Sequence, residues 1–290
     1  MSRAQEVLDR IVREVDEDGF EAHAVHVLVG EDSARHLWSD DVRRDVHSAA
    51  KGVCVLALGI ADDEGVFDVD APVAQWFPGA ELGDGVAGVT TRHLLAMQSG
   101  IDLPYSDTMF VDWPDLALEL LSRPTAGRSF QYSNASTYTA MRALGSVVGD
   151  VPTWLAPRLF EPLGIDAPPW LRCPLGWVVA GGALELTIDE LARIGRLIRD
   201  DGVWQDTRLV SSRWTEAMRS DWIEHDAPPS YARYSLGAWG GPGEAWRLHG
   251  AYGQLVVFRG DAVVTMTADD HFGADRMAER VVEAVEALAS

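Results

Sequence analysis

Between His47 and Ile60 the chain runs through Val53, Cys54, Val55, Leu56, Ala57, Leu58 and Ile60 with almost no polar interruption. This pattern reads as a helix that is apolar on nearly every side, which is the signature of a buried helix. Such a segment has to be covered by the rest of the chain. Ala49, Ala50 and Gly52 at its start leave room for covering segments to approach closely. The same stretch holds Lys51, the only lysine in a chain with 23 arginines.

A guanidinium stays protonated in a protein, whereas an ammonium can give up its proton where the surroundings disfavour charge. A lone lysine among so many arginines therefore points to proton transfer. Ser48 stands three residues earlier, and residues three apart share one face of a helix, so Lys51 can reach the Ser48 hydroxyl. Ser48 is expected in the first helical turn. There the free backbone N–H groups and the positive end of the macrodipole favour an alkoxide, and the Ser48 N–H can face an oxyanion. The competing reading makes Ser48 a helix cap and Lys51 a solvated surface cation. It is the weaker one, because this helix has little polar face to be solvated.

The two ends of the chain read as one sheet with helices packed on it. Val7, Leu8, Ile11, Val12 and Val15 form a helical stripe; Val25, Val27 and Val29 alternate as a strand, and another strand is expected near His36 to Trp38. Near the other end, Trp246 to His249, Leu255 to Phe258 and Ala262 to Thr267 read as strands, the last two joined by a tight turn at Gly260 and Asp261. Met277, Val281, Val285 and Leu288 then mark a closing helix. The expected fold class is α+β, an antiparallel sheet flanked by N- and C-terminal helices. Residues 1–62 and 236–290 are expected to form this sheet lobe, and 63–235 an inserted, mostly helical lobe.

A chain of 290 residues with 47% apolar and 24% charged residues has ordinary globular composition and can bury a sizeable core. Its formal net charge of −21 argues against nucleic acid and against anionic membrane surfaces. No run of about 18 apolar residues is present, and the first twenty residues lack a signal-peptide pattern, so a cytoplasmic location is expected. Cys54 and Cys173 read as buried small hydrophobes. His47 and His93 read as structural, and Asp269, Asp270 and His271 as a solvated loop rather than metal ligands; no metal or cofactor is expected.

Two further stretches complete a constellation. Tyr132, Ser133 and Asn134 follow the loop at Gly127 to Gln131, and His249, Gly250, Ala251 and Tyr252 open the strand-rich end. With Ser48 to Lys51 as S-x-x-K and Tyr132 to Asn134 as Y-x-N, the chain resembles the serine β-lactamase and penicillin-binding protein superfamily, in the branch of class C β-lactamases, DD-peptidases and related esterases. The segments Thr91 to Ile101 and Gly181 to Asp189 resemble other stretches of that superfamily. The third motif departs from the usual K-T-G: His249, Gly250 and Ala251 stand there, which weakens the case for penicillins or D-Ala-D-Ala peptides as substrates. Strand alternation puts Arg247 on the face of His249, from where a cation could be restored.

The resemblance implies a site in a cleft between the sheet and the helical lobe. It implies Ser48 as nucleophile, with Lys51 or Tyr132 taking its proton and Tyr132 passing a proton to the leaving group. Asn134 would bond Lys51 and the substrate, and the Ser48 and Tyr252 N–H groups would form the oxyanion hole. His249, Gly250 and Ala251 would line the substrate. Trp113, Trp177, Trp239 and Tyr105 are possible walls of an apolar acyl pocket. The expected activity is hydrolysis of a small-molecule ester or amide through an acyl-enzyme. The alternatives are a transacylase built on the same intermediate and a catalytically silent binding protein.

Overall fold

The computed structural model describes residues 2–108, 114–228 and 231–288. The chain enters through helix α1 (Arg3–Asp18), whose first turn is capped by the Ser2 hydroxyl accepting the Gln5 N–H and whose end is closed by Gly19 at φ 63°. Its buried stripe is Ala4, Val7, Leu8, Ile11 and Val15, four of them as the periodicity predicts, while Val12, also expected there, is only partly buried against the same cluster. Strands β1 (Ala22–Val29) and β2 (Asp32–Leu37) follow as an antiparallel hairpin.

Helix α2 (Ala50–Asp63) is the apolar segment, and every residue from Ala50 to Ala61 is buried. It packs against α3 (Asn134–Val148), α5 (Ser212–Ser220) and the sheet, while α4 (Ile188–Arg199) lies on the strands and adds to the same apolar core. The glycines of α2 show how close the covering elements come. A Cβ on Gly52 would lie 2.6 Å from the Leu248 side chain, and one on Gly59 2.6 Å from the Trp214 ring.

The remaining strands are β3 (Ile223–Glu224), β4 (Arg233–Tyr234), β5 (Trp239–Gly240), β6 (Trp246–Gly250), β7 (Gln254–Arg259) and β8 (Ala262–Ala268), before the closing helix α6 (Ala274–Glu286). They complete an eight-stranded antiparallel sheet in the order β2-β1-β8-β7-β6-β5-β4-β3. The fold is α+β, as the terminal patterns predict.

Alternation of side chains gives this sheet two apolar faces. Val25, Val27, Leu255, Val257 and Met266 pack against α1 and α6, while Leu248, Val256, Phe258 and Val263 face the core around α2. The segment from 63 to 235 also reaches the sheet. It supplies β3 and β4, and α4 lies on the strands so closely that a Cβ on Gly195 would meet Val256 at 2.8 Å. Among the described residues, no helix is long and apolar enough to cross a membrane.

Candidate active site

The helix carrying Lys51 begins at Ala50, later than the sequence pattern suggests. Residues His47–Ala49 form a separate 3-10 turn, entered with His47 at φ 48°. The Asp45 carboxylate imposes this break, accepting the His47 N–H at 2.7 Å and the Ala183 N–H at 2.8 Å. Arg44 and Asp45 pair with Leu186 and Glu185, and the Val46 N–H reaches the Leu184 carbonyl at 2.9 Å. The turn holding Ser48 is thus stitched to the segment around Gly181.

That stitching brings the Gly181 carbonyl into the site. It accepts from Lys51 Nζ at 2.9 Å and from Ser48 Oγ at 3.4 Å. Glycine is required here, because a Cβ would sit 2.6 Å from Asn134 Oδ1. Lys51 is 1% exposed, and its Nζ also donates to Ser48 Oγ at 2.9 Å and to Asn134 Oδ1 at 2.8 Å. Two of these three partners are amide oxygens that can only accept; the third is a hydroxyl that can do either. A neutral amine with two N–H groups and one lone pair fits this set, and so does an ammonium with three N–H groups. One proton can therefore pass between Oγ and Nζ with no heavy atom moving.

Tyr132 and Asn134 arrive together at the start of α3. The loop before them is held by Met97, whose carbonyl accepts the Gln131 N–H at 2.8 Å and whose sulfur lies 3.4 Å from the Ser133 N. Lys51 Nζ lies 4.9 Å from the centroid of the Tyr132 ring, a cation–π distance. The four groups Ser48, Lys51, Tyr132 and Asn134 thus converge.

The third segment approaches from β6. A Cβ on Gly250 would lie 2.3 Å from the Val46 carbonyl oxygen, so the strand can run beside the Ser48 turn only with glycine there. Ala251 is exposed, and Tyr252, at φ 62°, sets its ring 5.0 Å from that of His47. Arg247 shares the His249 face, as alternation requires, but its guanidinium is turned inward and is 1% exposed. It donates to His249 Nδ1 at 3.0 Å and to the Gly241 carbonyl at 2.9 Å, and lies 4.8 Å from the Tyr231 ring centroid. The cation expected in the cleft is spent on internal partners instead.

With Nδ1 accepting from Arg247, the remaining imidazole proton belongs on Nε2, 3.3 Å from the Tyr231 hydroxyl, which in turn donates to Asp275. Burial, reinforced by the Arg247 charge, pushes the His249 pKa down to about 3, so the ring is neutral at ordinary pH. Burial also raises the Tyr231 phenol, which remains a donor. Tyr231 and Asp275 carry no motif, and nothing local in the sequence marks them.

The other singled-out residues have separate places. His93 caps a short helix with Thr90, and Asp270 accepts the Phe272 and Gly273 N–H groups. Cys54 and Cys173 are free thiols; burial pushes Cys54 up to about 12. Trp239 stands beside Tyr132, with ring centroids 5.3 Å apart. Trp177 instead packs on Gly145 and lines a different cavity of about 260 Å³ with Met141 and Arg172. Trp113 and the side chain of Tyr105 lie outside the described residues. Among those described, no three His, Cys, Asp or Glu side chains converge as a metal-binding group.

A convergent serine, buried lysine and tyrosine between a sheet and a helical layer is the arrangement of serine-hydrolase-type enzymes with the β-lactamase fold. The beta-lactamase family model matches residues 8–286, and the chain belongs to that family. Among curated proteins it is 28% identical over 208 residues to the 6-aminohexanoate-dimer hydrolase of Paenarthrobacter ureafaciens; the match covers 62% of this chain and spans about half, 52%, of that relative.

Solved structures share the fold. D-amino acid amidase from Ochrobactrum anthropi SV3, complexed with L-phenylalanine, superposes with TM-score 0.73 at 16% identity, covering 100% of both chains. A penicillin-binding protein homolog from Caulobacter crescentus gives 0.76 at 17%, covering 99% of this chain and 98% of its own. A family VIII carboxylesterase gives 0.75 at 17%, with coverage of 99% and 98%.

Proposed function

We propose that this protein is a serine hydrolase that cleaves an ester or amide through a covalent acyl-enzyme at Ser48. The observation that carries the proposal is the buried Lys51 Nζ at 2.9 Å from Ser48 Oγ, flanked by two oxygens that can only accept. Lys51 removes the hydroxyl proton as Oγ attacks the carbonyl carbon. The proton then returns to the leaving oxygen or nitrogen by way of Tyr132, the C–O or C–N bond breaks, and the acyl group stays on Ser48. Water, deprotonated by the same pair, releases the acid. The N–H groups of Ser48 and Tyr252 serve as oxyanion donors, and Asn134 holds Lys51 in line while its amide N–H₂ faces the substrate. His249, Gly250 and Ala251 border the substrate on the sheet side.

Names among the relatives, a 6-aminohexanoate-dimer hydrolase, a D-amino acid amidase and a carboxylesterase, support carbonyl–heteroatom cleavage as the reaction class and single out no one substrate. The test is incubation with p-nitrophenyl acetate and, separately, a fluorophosphonate, followed by intact mass. One adduct is expected on the wild type and none on Ser48→Ala, with p-nitrophenol release falling at least about 10³-fold while circular dichroism stays native. A Ser48→Ala variant that still turns over ester within tenfold of wild type overturns the proposal.

A further inference from the structure

Beyond Tyr132 stands a wall of aromatic rings, and Trp239 is its hub. Its ring centroid lies 4.7 Å from that of Tyr234, 4.9 Å from Tyr231, 5.3 Å from Tyr132, 5.9 Å from His225 and 6.0 Å from Phe130. Phe130 and His225 stack with each other at 4.0 Å and 10°. Tyr234 is fully buried behind the cluster, whereas Trp239 and Tyr132 stay partly exposed. Because the Tyr132 ring also lies against Lys51 Nζ, this apolar surface begins at the reacting groups and extends from them.

The charges around the wall are arranged against an anion. Arg247, on β6 directly across from Trp239, is buried and bonded to His249 and the Gly241 carbonyl. His249 is neutral, and the half-exposed charge beside it is the Asp275 carboxylate. Arg233 is bonded to the Gly243 carbonyl and lies over the Trp222 ring. A substrate carboxylate set against Trp239 would lose its hydration and gain no exposed cation among these groups. A flat apolar group would instead bury its face on an indole already held from several sides.

We propose that Trp239 determines the specificity of the Ser48 site, selecting substrates whose acyl portion carries an uncharged aromatic group over those that carry a carboxylate there. This rests on the acyl-enzyme reading above. The test uses three p-nitrophenyl esters with one leaving group: acetate, phenylacetate and 4-carboxyphenylacetate. In the wild type, kcat/KM for phenylacetate is expected to exceed that for its carboxylated twin at least tenfold. Trp239→Leu is expected to lower the phenylacetate rate at least tenfold more than the acetate rate, and Trp239→Phe to restore most of the preference.

Equal losses on acetate and phenylacetate, or equal wild-type rates on the charged and uncharged rings, overturn the proposal. Fluorophosphonate labelling of Ser48 reads the underlying reaction separately. Labelling without ring selectivity removes only the role of Trp239, whereas a wild type that neither labels nor hydrolyses any of the esters removes both readings.

Discussion

Replacing His249 by Asn reads the third segment without any substrate. The imidazole is 11% exposed and accepts from Arg247 at 3.0 Å, and its pKa is pushed from 6.5 down to about 3 by burial and by that neighbouring charge. Asp275, 3.9 Å from Nε2, acts in the opposite sense, but it is half exposed, screened by water and engaged by Tyr231. In the unfolded chain the ring takes up a proton as pH falls through about 6.5, while the folded ring stays neutral until near 3. Across that window the unfolded state binds one more proton, so stability is lost as pH falls, at about 1.4 kcal/mol per pH unit. Between about pH 6.5 and pH 5 the loss is on the order of 2 kcal/mol.

An asparagine offers Arg247 an amide oxygen in place of Nδ1 but cannot titrate. Urea unfolding of both proteins at about pH 7.5 and about pH 5 is expected to show the wild type losing about 2 kcal/mol more than the variant, with every other titrating group cancelling in the difference. If the two proteins respond equally to pH, the neutral buried imidazole is wrong.

Two further changes probe the Lys51 helix. Lys51→Arg is expected to cost about as much activity as Lys51→Ala, on the order of 10²–10⁴ in kcat/KM for p-nitrophenyl acetate, because a guanidinium cannot accept the Ser48 proton; an Arg variant near wild-type rate would show that positive charge alone suffices. Gly59→Ala improves helix propensity by about 1 kcal/mol. Its Cβ, however, would fall 2.6 Å from the fully buried Trp214 ring. Overpacking of about 1–3 kcal/mol is expected to win, lowering Tm by a few degrees in thermal unfolding; a raised Tm would contradict the packing.

The elements legible in the chain were those written in local periodicity. The stripe of α1, the alternation of β1, the three strands after Trp246 and the closing helix all stand within a residue or two of where their patterns put them. The pairing of Ser48 with Lys51 followed from three-residue spacing on a helical path, a local relation that survives even though the helix proper begins at Ala50. Gly52 announced that something approaches α2 closely, though not that it would be Leu248, and nothing in the chain foretold Trp214 at Gly59.

What no local window contained was which distant groups meet. The carbonyl that shares Lys51 and Ser48 belongs to Gly181, 130 positions from the lysine, and it arrives because Asp45 ties two backbone N–H groups from different segments. Alternation placed Arg247 correctly on its strand face, yet only the packing of Tyr231 above it and His249 beside it turned the guanidinium inward. Trp239 was one of three tryptophans set down as walls of an acyl pocket, with nothing to rank it above Trp177, until five aromatic rings gathered around it. Periodicity is a property of neighbours along the chain and can be read there. Proton partners, burial and the sign of the local field are properties of neighbours in space, and they exist only once the chain has closed on itself.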